Sequence, residues 1–379
     1  MEILKILEFL IFLVGVGYIL IQCWQTITLI RYRSINTDYR RKETELPTVT
    51  VLVACRNEEH NIENCLRSLI DLNYPKEKLK ILVGNDQSED NTLKIARQFE
   101  SKYDFIQVID IQEDSTGLKA KARVMAQLDK HAVGDYYLVT DADVCVNSNW
   151  ILGLLSNMNE EIGVASGTTM VKSNGIGGLF QEIDWAYFMG LLNVISYSGV
   201  PATAVGNNMI IRKDAYWQTG GYSKIHFSIT EDYKLYKEVC DKGWKWNNIM
   251  NNDVLGYSEK TNGFIPLLHQ RKRWLSGGKE LPWYWWILFG IYGAYYFVSV
   301  ALVLIFLLKF PVDNYLLLIP VIKWGLQSIQ IFNIYRHLSQ KPPNLLKLII
   351  YEFYLTLITI STAIFFVLPV KTNWKDRKY

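Results

Sequence analysis

The chain has 379 residues, half of them hydrophobic and 13% aromatic, with a formal net charge of +3. That length allows more than one domain, and so small a charge offers nucleic acid no basic field to bind. The five cysteines (Cys23, Cys55, Cys65, Cys145, Cys240) are odd in number and form no CxxC pair, which argues against a disulfide framework or a zinc site and suits a reducing, cytosolic setting.

Residues 9–30 carry no charge. About 20 apolar residues suffice to cross a bilayer, and no small-residue cleavage site follows, so residues 1–30 read as an uncleaved anchor. The next stretch, 31–46, holds Arg31, Arg33, Arg40, Arg41 and Lys42, a flank that the positive-inside rule places in the cytoplasm. Residues 47–262 alternate short apolar runs with amphipathic ones and read as globular. Residues 263–282 read as an interfacial segment. Three hydrophobic stretches follow within 283–370, the second containing Lys323 and the third Glu352. Such ionisable groups usually face a bundle interior. The tail, 371–379, is basic. Three crossings after a cytoplasmic domain would put that tail outside, against the rule, unless one stretch is re-entrant or interfacial.

Within the globular part, Val49–Ala54 is a near-continuous apolar strand ending in Arg56, Asn57 and Glu58, followed by a helix with Ile62, Leu66, Leu69 and Ile70 on one face. A second strand, Lys80–Gly84, ends in Asn85 and Asp86, with Ser88 or Asp90 placed to cap the next helix. A third strand reads FIQVIDIQ, and the helical run GLKAKARVMAQ leads into a fourth, Tyr136–Thr140. Apolar strands alternating with helices predict an α/β fold: a mostly parallel sheet with helices on both faces. In such sheets ligands bind beyond the carboxyl ends of the strands, where Arg56, Glu58, Asp86, Asp141 and Asp143 all fall.

Asp141 and Asp143 stand two residues apart at the end of an apolar strand, so their carboxylates point the same way. A hard divalent cation, Mg²⁺ or Mn²⁺, would cancel their repulsion and hold substrate phosphates; a capping or solvated turn is the alternative. Glu231 and Asp232 open a helix, a placement the helix dipole favours by itself. Gln270, Arg273 and Trp274 share a helical surface just before the first C-terminal apolar stretch. His269 and His226 read as structural histidines rather than metal ligands.

The segments ACRNEEHNIENCLRSL, NDQSED, GLKAKARVMAQ, TDAD, GNNMIIRKDAYWQTGGY, TED and QRKRW occur in this order over about residues 48–276. Together they resemble the membrane-anchored branch of the family 2 glycosyltransferases. The resemblance implies a GT-A fold, a nucleotide-sugar donor, a divalent metal and transfer that inverts the anomeric centre. It implies that Asp86 recognises the nucleotide base, with Asn85 where the family commonly has a second acid. It implies that Lys121 faces the donor, although Lys119 competes for that match because Ala120 replaces a conventional glycine. Asp141 then lies on the donor side, Asp143 is the principal metal ligand and Asp232 the catalytic base. Arg56 and Glu58 belong to the nucleotide-sugar side and Glu231 to the acceptor side. Gln270, Arg273 and Trp274 match the QxxRW motif, whose Arg faces the diphosphate and whose Trp lines the acceptor entrance.

The implied enzyme is an integral protein of a bacterial-type inner or plasma membrane with a cytoplasmic catalytic domain and, as usual for the family, a UDP-sugar donor. Two acceptors fit: a membrane lipid receiving one sugar, as in ceramide and carotenoid glucosyltransferases, or a growing glycan extruded through the spans, as in cellulose or hyaluronan synthases. The few spans and the WKDRKY tail favour the lipid. A non-catalytic membrane scaffold is the third reading, disfavoured because Asp86, Asp141, Asp143, Asp232 and the QxxRW residues are all present.

Overall fold

The structure, a computed structural model, describes residues 2–33, 46–113, 117–172, 175–225, 230–278, 281–309, 313–371, 373–374 and 377–378. Arg40, Arg41 and Lys42 of the basic stretch, His226 and parts of the C-terminal tail lie outside the described residues. Two compact units emerge. One comprises Arg33–Lys260 with His337–Ser339; the other comprises Met1–Tyr32, Thr261–Arg336 and Gln340–Tyr379.

Helix α1 (Glu2–Arg31) opens the chain. The α/β unit runs β1 (Val49–Cys55), α2 (Ile62–Ile70), β2 (Leu79–Asn85), α3 (Thr92–Glu100), β3 (Ile106–Asp110), α4 (Ala120–Leu128), β4 (Tyr136–Asp141), β5 (Val144–Val146), α5 (Trp150–Leu155), β6 (Ile162–Ser166), β7 (Thr169–Val171), α6 (Gly175–Tyr197), β8 (Asn208–Arg212), α7 (Lys213–Gln218), α8 (Glu231–Asp241), β9 (Lys245–Asn248) and β10 (Gly256–Ser258). The chain continues through α9 (Phe264–Gly277), α10 (Trp283–Leu307), α11 (Leu318–His337) and α12 (Leu345–Val367).

The main sheet has seven strands in the order β3-β2-β1-β4-β8-β6-β9. The first four are parallel, and β8 pairs antiparallel to both β4 and β6. Val49, Val51, Val53 and Cys55 of β1 join Ile62, Cys65, Leu66 and Leu69 of α2 in one buried core. Leu52 and Leu82 are buried as well, so these strands are apolar on both faces, as parallel strands under helices require. On β2, a methyl group added to Gly84 would meet Val124 of α4 at 2.4 Å, so the bare glycine is what lets α4 seat there. A three-stranded second sheet, β5-β10-β7, branches off just after β4. The N-cap of α3 is Asn91, whose side chain makes no capping bond; Asp90, one residue earlier, accepts from the Thr92 amide at 2.9 Å. Ser88 instead accepts from the Asn57 amide at 3.1 Å, tying the β1 and β2 loops together.

In the second unit, four helices among the described residues are long and apolar enough to cross a membrane: Lys5–Arg31, Trp283–Leu307, Asn314–His337 and Leu345–Val367. Polar groups join them pairwise. Tyr18 stacks on Tyr295 at 4.1 Å between α1 and α10. Gln330 of α11 donates to Gln22 and Thr26 of α1, each at 2.9 Å. Lys323, fully buried, donates to both carboxylate oxygens of Glu352 at 2.6 Å, pairing α11 with α12.

Candidate active site

The strand order reverses between β1 and β4: the chain builds β1, β2 and β3 outward on one side, then places β4 on the other. That reversal opens a crevice beyond the carboxyl ends of the strands. In register, Ala54 of β1 lies between Gly84 of β2 and Asp141 of β4, so the two flanking loops stand about 10 Å apart, two strand spacings. Three non-glycine residues along this edge, Asn57, Gln87 and Ala120, have positive φ of 50°, 55° and 50°. Left-handed backbone at such residues is strained and concentrates at functional sites. Ala120 holds it at the position where the resembled family has glycine.

The first group of side chains surrounds Lys121, at the start of α4. Its ammonium donates to Asp141 Oδ1 at 2.6 Å and to the Gly206 carbonyl at 3.0 Å, and lies 3.8 Å from Glu231. Burial works against its charge, but Asp141, Glu231 and Asp232 outweigh burial and hold its pKa above the ordinary lysine value. Asp232, in the first turn of α8, receives two backbone amides, Gly206 N–H on Oδ2 and Tyr233 N–H on Oδ1, both at 2.8 Å. The helix N-terminus thus fixes the direction of this carboxylate. Of the two lysines competing for one match, Lys121 is the one bonded to Asp141.

A second group holds the loop after β2. Arg123 of α4 donates to Asp86 Oδ1 at 2.7 Å in a buried pair. Arg56 reaches the same loop through its backbone, donating to the carbonyls of Asp86 (2.8 Å) and Gln87 (3.1 Å). Asn85 donates to Asp110 at 2.8 Å. Glu58 is turned to local work: its carboxylate accepts from Asn61 at 2.7 Å, and its amide donates to Thr92 at 2.7 Å. Sequence reasoning missed Arg123, because its pairing with Asp86 spans 37 residues and leaves no local pattern. Gly206 opens the quoted segment GNNMIIRKDAYWQTGGY, but nothing in the sequence points it at Asp232, 26 residues on.

Asp143 follows Asp141 in the two-residue turn between β4 and β5, with Ser258 of β10 donating to its Oδ2 at 3.3 Å. Among the described residues no three acidic, histidine or cysteine side chains gather as a closed metal cage. An open pair of carboxylates fits a hard cation that draws its remaining ligands from substrate oxygens and water. Gln270, Arg273 and Trp274 lie on α9, in the other unit, where Thr261 donates to Gln270 Oε1 at 3.0 Å. Beside them Lys272 holds the carbonyls of Phe365 (3.1 Å) and Leu368 (2.6 Å) at the end of α12. His269 packs its ring edge-on against Phe365.

A family model described as Glycosyl transferase family 21 matches residues 7–362. The poly-beta-1,6-N-acetyl-D-glucosamine synthase of Staphylococcus aureus (strain COL) is 30% identical over 263 residues, which cover 66% of this chain and 59% of that protein. The chain therefore spans less than two thirds of that relative's length. Among solved structures, the mannosyltransferase PcManGT from Pyrobaculum calidifontis, in complex with GDP-Man and Mn²⁺, superposes with a TM-score of 0.58 at 14% identity, covering 96% of this chain and 99% of that one. At that identity the likeness speaks for the fold, a GT-A fold.

Proposed function

The chain belongs to glycosyl transferase family 21, and from that premise we propose that it is a membrane-bound, inverting, metal-dependent enzyme moving a sugar from a UDP-sugar to a hydroxyl of a membrane lipid. The observation that carries this reading is the Lys121 cluster at the carboxyl edge of the sheet: one half-buried cation bonded to Asp141, 3.8 Å from Glu231 and in the field of Asp232. A cation held among acids is poised to exchange them for an arriving diphosphate.

An acceptor hydroxyl is a poor nucleophile near neutrality. Asp232 takes its proton as the new glycosidic bond forms and the bond to the diphosphate breaks, a contribution of roughly 10²–10⁴-fold. Two backbone amides hold Asp232 so that little reorganisation is needed when that happens. The departing nucleoside diphosphate gains negative charge, which Lys121 meets with charge-assisted hydrogen bonds. Asp143, with Asp141, is the place for Mg²⁺ or Mn²⁺, which supplies Lewis-acid stabilisation of the leaving group when bound. Asp86, set by Arg123 and by Arg56 through the loop backbone, reads the base, with Glu58 bracing the neighbouring turn. Arg273, with Gln270 and Trp274, serves the diphosphate and acceptor side. Attack opposite the leaving group inverts the anomeric carbon.

The four long apolar helices and the basic flank at Arg31 and Arg33 support a catalytic unit held on the cytoplasmic face. The similarity to a poly-N-acetylglucosamine synthase favours a second reading, a glycan acceptor extended repeatedly. One experiment separates the two. Purified full-length protein is incubated with labelled UDP-sugars and native lipid extract, and the products are sized. A single added sugar on a lipid supports the first reading and a ladder the second; no transfer from any nucleotide sugar contradicts both.

A further inference from the structure

Lys272 stands between Gln270 and Arg273 on α9, at a position the QxxRW pattern leaves open, yet this lysine is only 8% exposed. Its ammonium reaches the last turn of α12, donating to the carbonyls of Phe365 at 3.1 Å and Leu368 at 2.6 Å. The sequence explains why those acceptors are there to be taken. A helix end leaves its last carbonyls without intrahelical partners. Residue 369 is proline, so the Phe365 carbonyl finds no N–H four residues on. In apolar surroundings such a carbonyl is costly to leave unpaired. The negative end of the helix dipole favours a cation at the same point.

Two further contacts make this a seat rather than a pair of bonds. His269, three residues before Lys272, sets its ring edge-on to Phe365, with centroids 5.0 Å apart. The Lys272 ammonium lies 5.5 Å from the centre of the same ring. His269 and Lys272 therefore share the face of α9 that rests on α12. At 3.6 residues per turn, the centre of the Gln270, Arg273 and Trp274 face lies about 120° round the helix from it. Fixing one face fixes the direction of the other. Beyond α12, β11 (Asn373–Trp374) also runs beside α9.

We propose that Lys272 is a positioning residue of the transfer site: by capping the carboxyl end of α12 it sets the rotation of α9 about its own axis, and so aims Arg273 at the diphosphate. This rests on the reading of Arg273 as the group that meets the diphosphate. The seat also fixes where the tail begins. From Lys371 onward the chain leaves α12 on the side of α9, where the positive-inside rule favours a basic tail.

The test is UDP binding by calorimetry, with Mn²⁺ present, on full-length protein in detergent. Arg273→Ala should weaken binding about tenfold, the equivalent of one hydrogen bond to a charged group. Lys272→Met should weaken it by a similar factor, because the guanidinium loses its aim. The double variant should lie within about twofold of Arg273→Ala alone, since both changes remove the same interaction. Lys272→Arg, which keeps a cation and its donors at the helix end, should lie within about threefold of wild type. Losses that multiply in the double variant, or unchanged UDP affinity in folded Lys272→Met, overturn the Lys272 proposal alone. Wild-type affinity in Arg273→Ala overturns the reading of Arg273, and this proposal with it. A second measurement leaves Lys272 intact and stands even where Lys272→Met does not fold. In membrane vesicles, Ser276→Cys on α9 and Asn373→Cys in the tail should react with an impermeant maleimide from the same side, beyond the labelling of wild type. Reaction from opposite sides overturns the seat of α9 on α12.

Discussion

Replacing Gly206 with alanine should remove most turnover while leaving the fold in place. A methyl group on Gly206 would lie 2.6 Å from Asp232 Cβ and 2.7 Å from its Oδ2, where ordinary contact begins at 3.4 Å. The nearest atom is Cβ, so rotating the carboxylate does not relieve the clash; the start of α8 or the Gly206 loop must withdraw by about 0.8 Å. Two interactions are lost or bent in the process, the Gly206 amide bond to Asp232 and the Gly206 carbonyl bond to Lys121. Misplacing a catalytic group by about 1 Å costs on the order of 10²-fold in rate, whereas overpacking of this kind costs about 1–3 kcal/mol of stability. Steady-state transfer from a UDP-sugar should therefore show kcat reduced roughly 10²-fold with donor KM little changed. Gly177→Ala is the control, since nothing lies within 4 Å of a methyl group there. A folded Gly206→Ala protein with wild-type kcat would refute the placement of Asp232 beside the reacting hydroxyl.

Chelation by EDTA should abolish transfer, and Mn²⁺ or Mg²⁺ should restore it in wild type but not in Asp143→Asn; full activity in chelator contradicts the metal assignment. Burial pushes Asp129 up to about 6 from 3.8, so the folded state binds its proton more tightly than the unfolded chain. Stability from this group is present below pH 4 and declines as pH rises towards 6. Asp129→Asn, which still accepts from Tyr216, should then be more stable than wild type by about 2–3 kcal/mol at pH 8, the difference closing below pH 4 in thermal melts. In the helical unit, Glu352→Gln leaves the Lys323 ammonium buried without its counter-charge and should cost about 3–5 kcal/mol. The double replacement Lys323→Met with Glu352→Leu should recover most of it, as measured by thermal denaturation in detergent.

The half of the fold built on β1 to β4 was legible in the sequence because β1, β2 and β4 are buried on both faces and read as near-continuous apolar runs, while β3 shows the alternation of an edge strand. The second sheet was not. Strands β5, β7 and β10 are three residues long, too short for any period to show, and only pairing across long separations defines them. The four long apolar helices stand out by composition, and their ends fall within a few residues of the apolar stretches. At the site, the acids at strand ends could be found from sequence because the α/β plan dictates where strands point. Their partners could not. Arg123 beneath Asp86, Gly206 beneath Asp232 and Tyr216 against Asp129 are each brought together by the sheet from 26 to 87 residues away.

The decisive comparison is turnover by Asp232→Asn against wild type at saturating UDP-sugar, with UDP binding followed by calorimetry on the same preparations. A base in that position predicts turnover lost by at least about 10²-fold with UDP affinity within about twofold of wild type, because the amide side chain can keep the Gly206 contact but cannot take a proton. Wild-type turnover in the variant would contradict the assignment and with it the proposed mechanism.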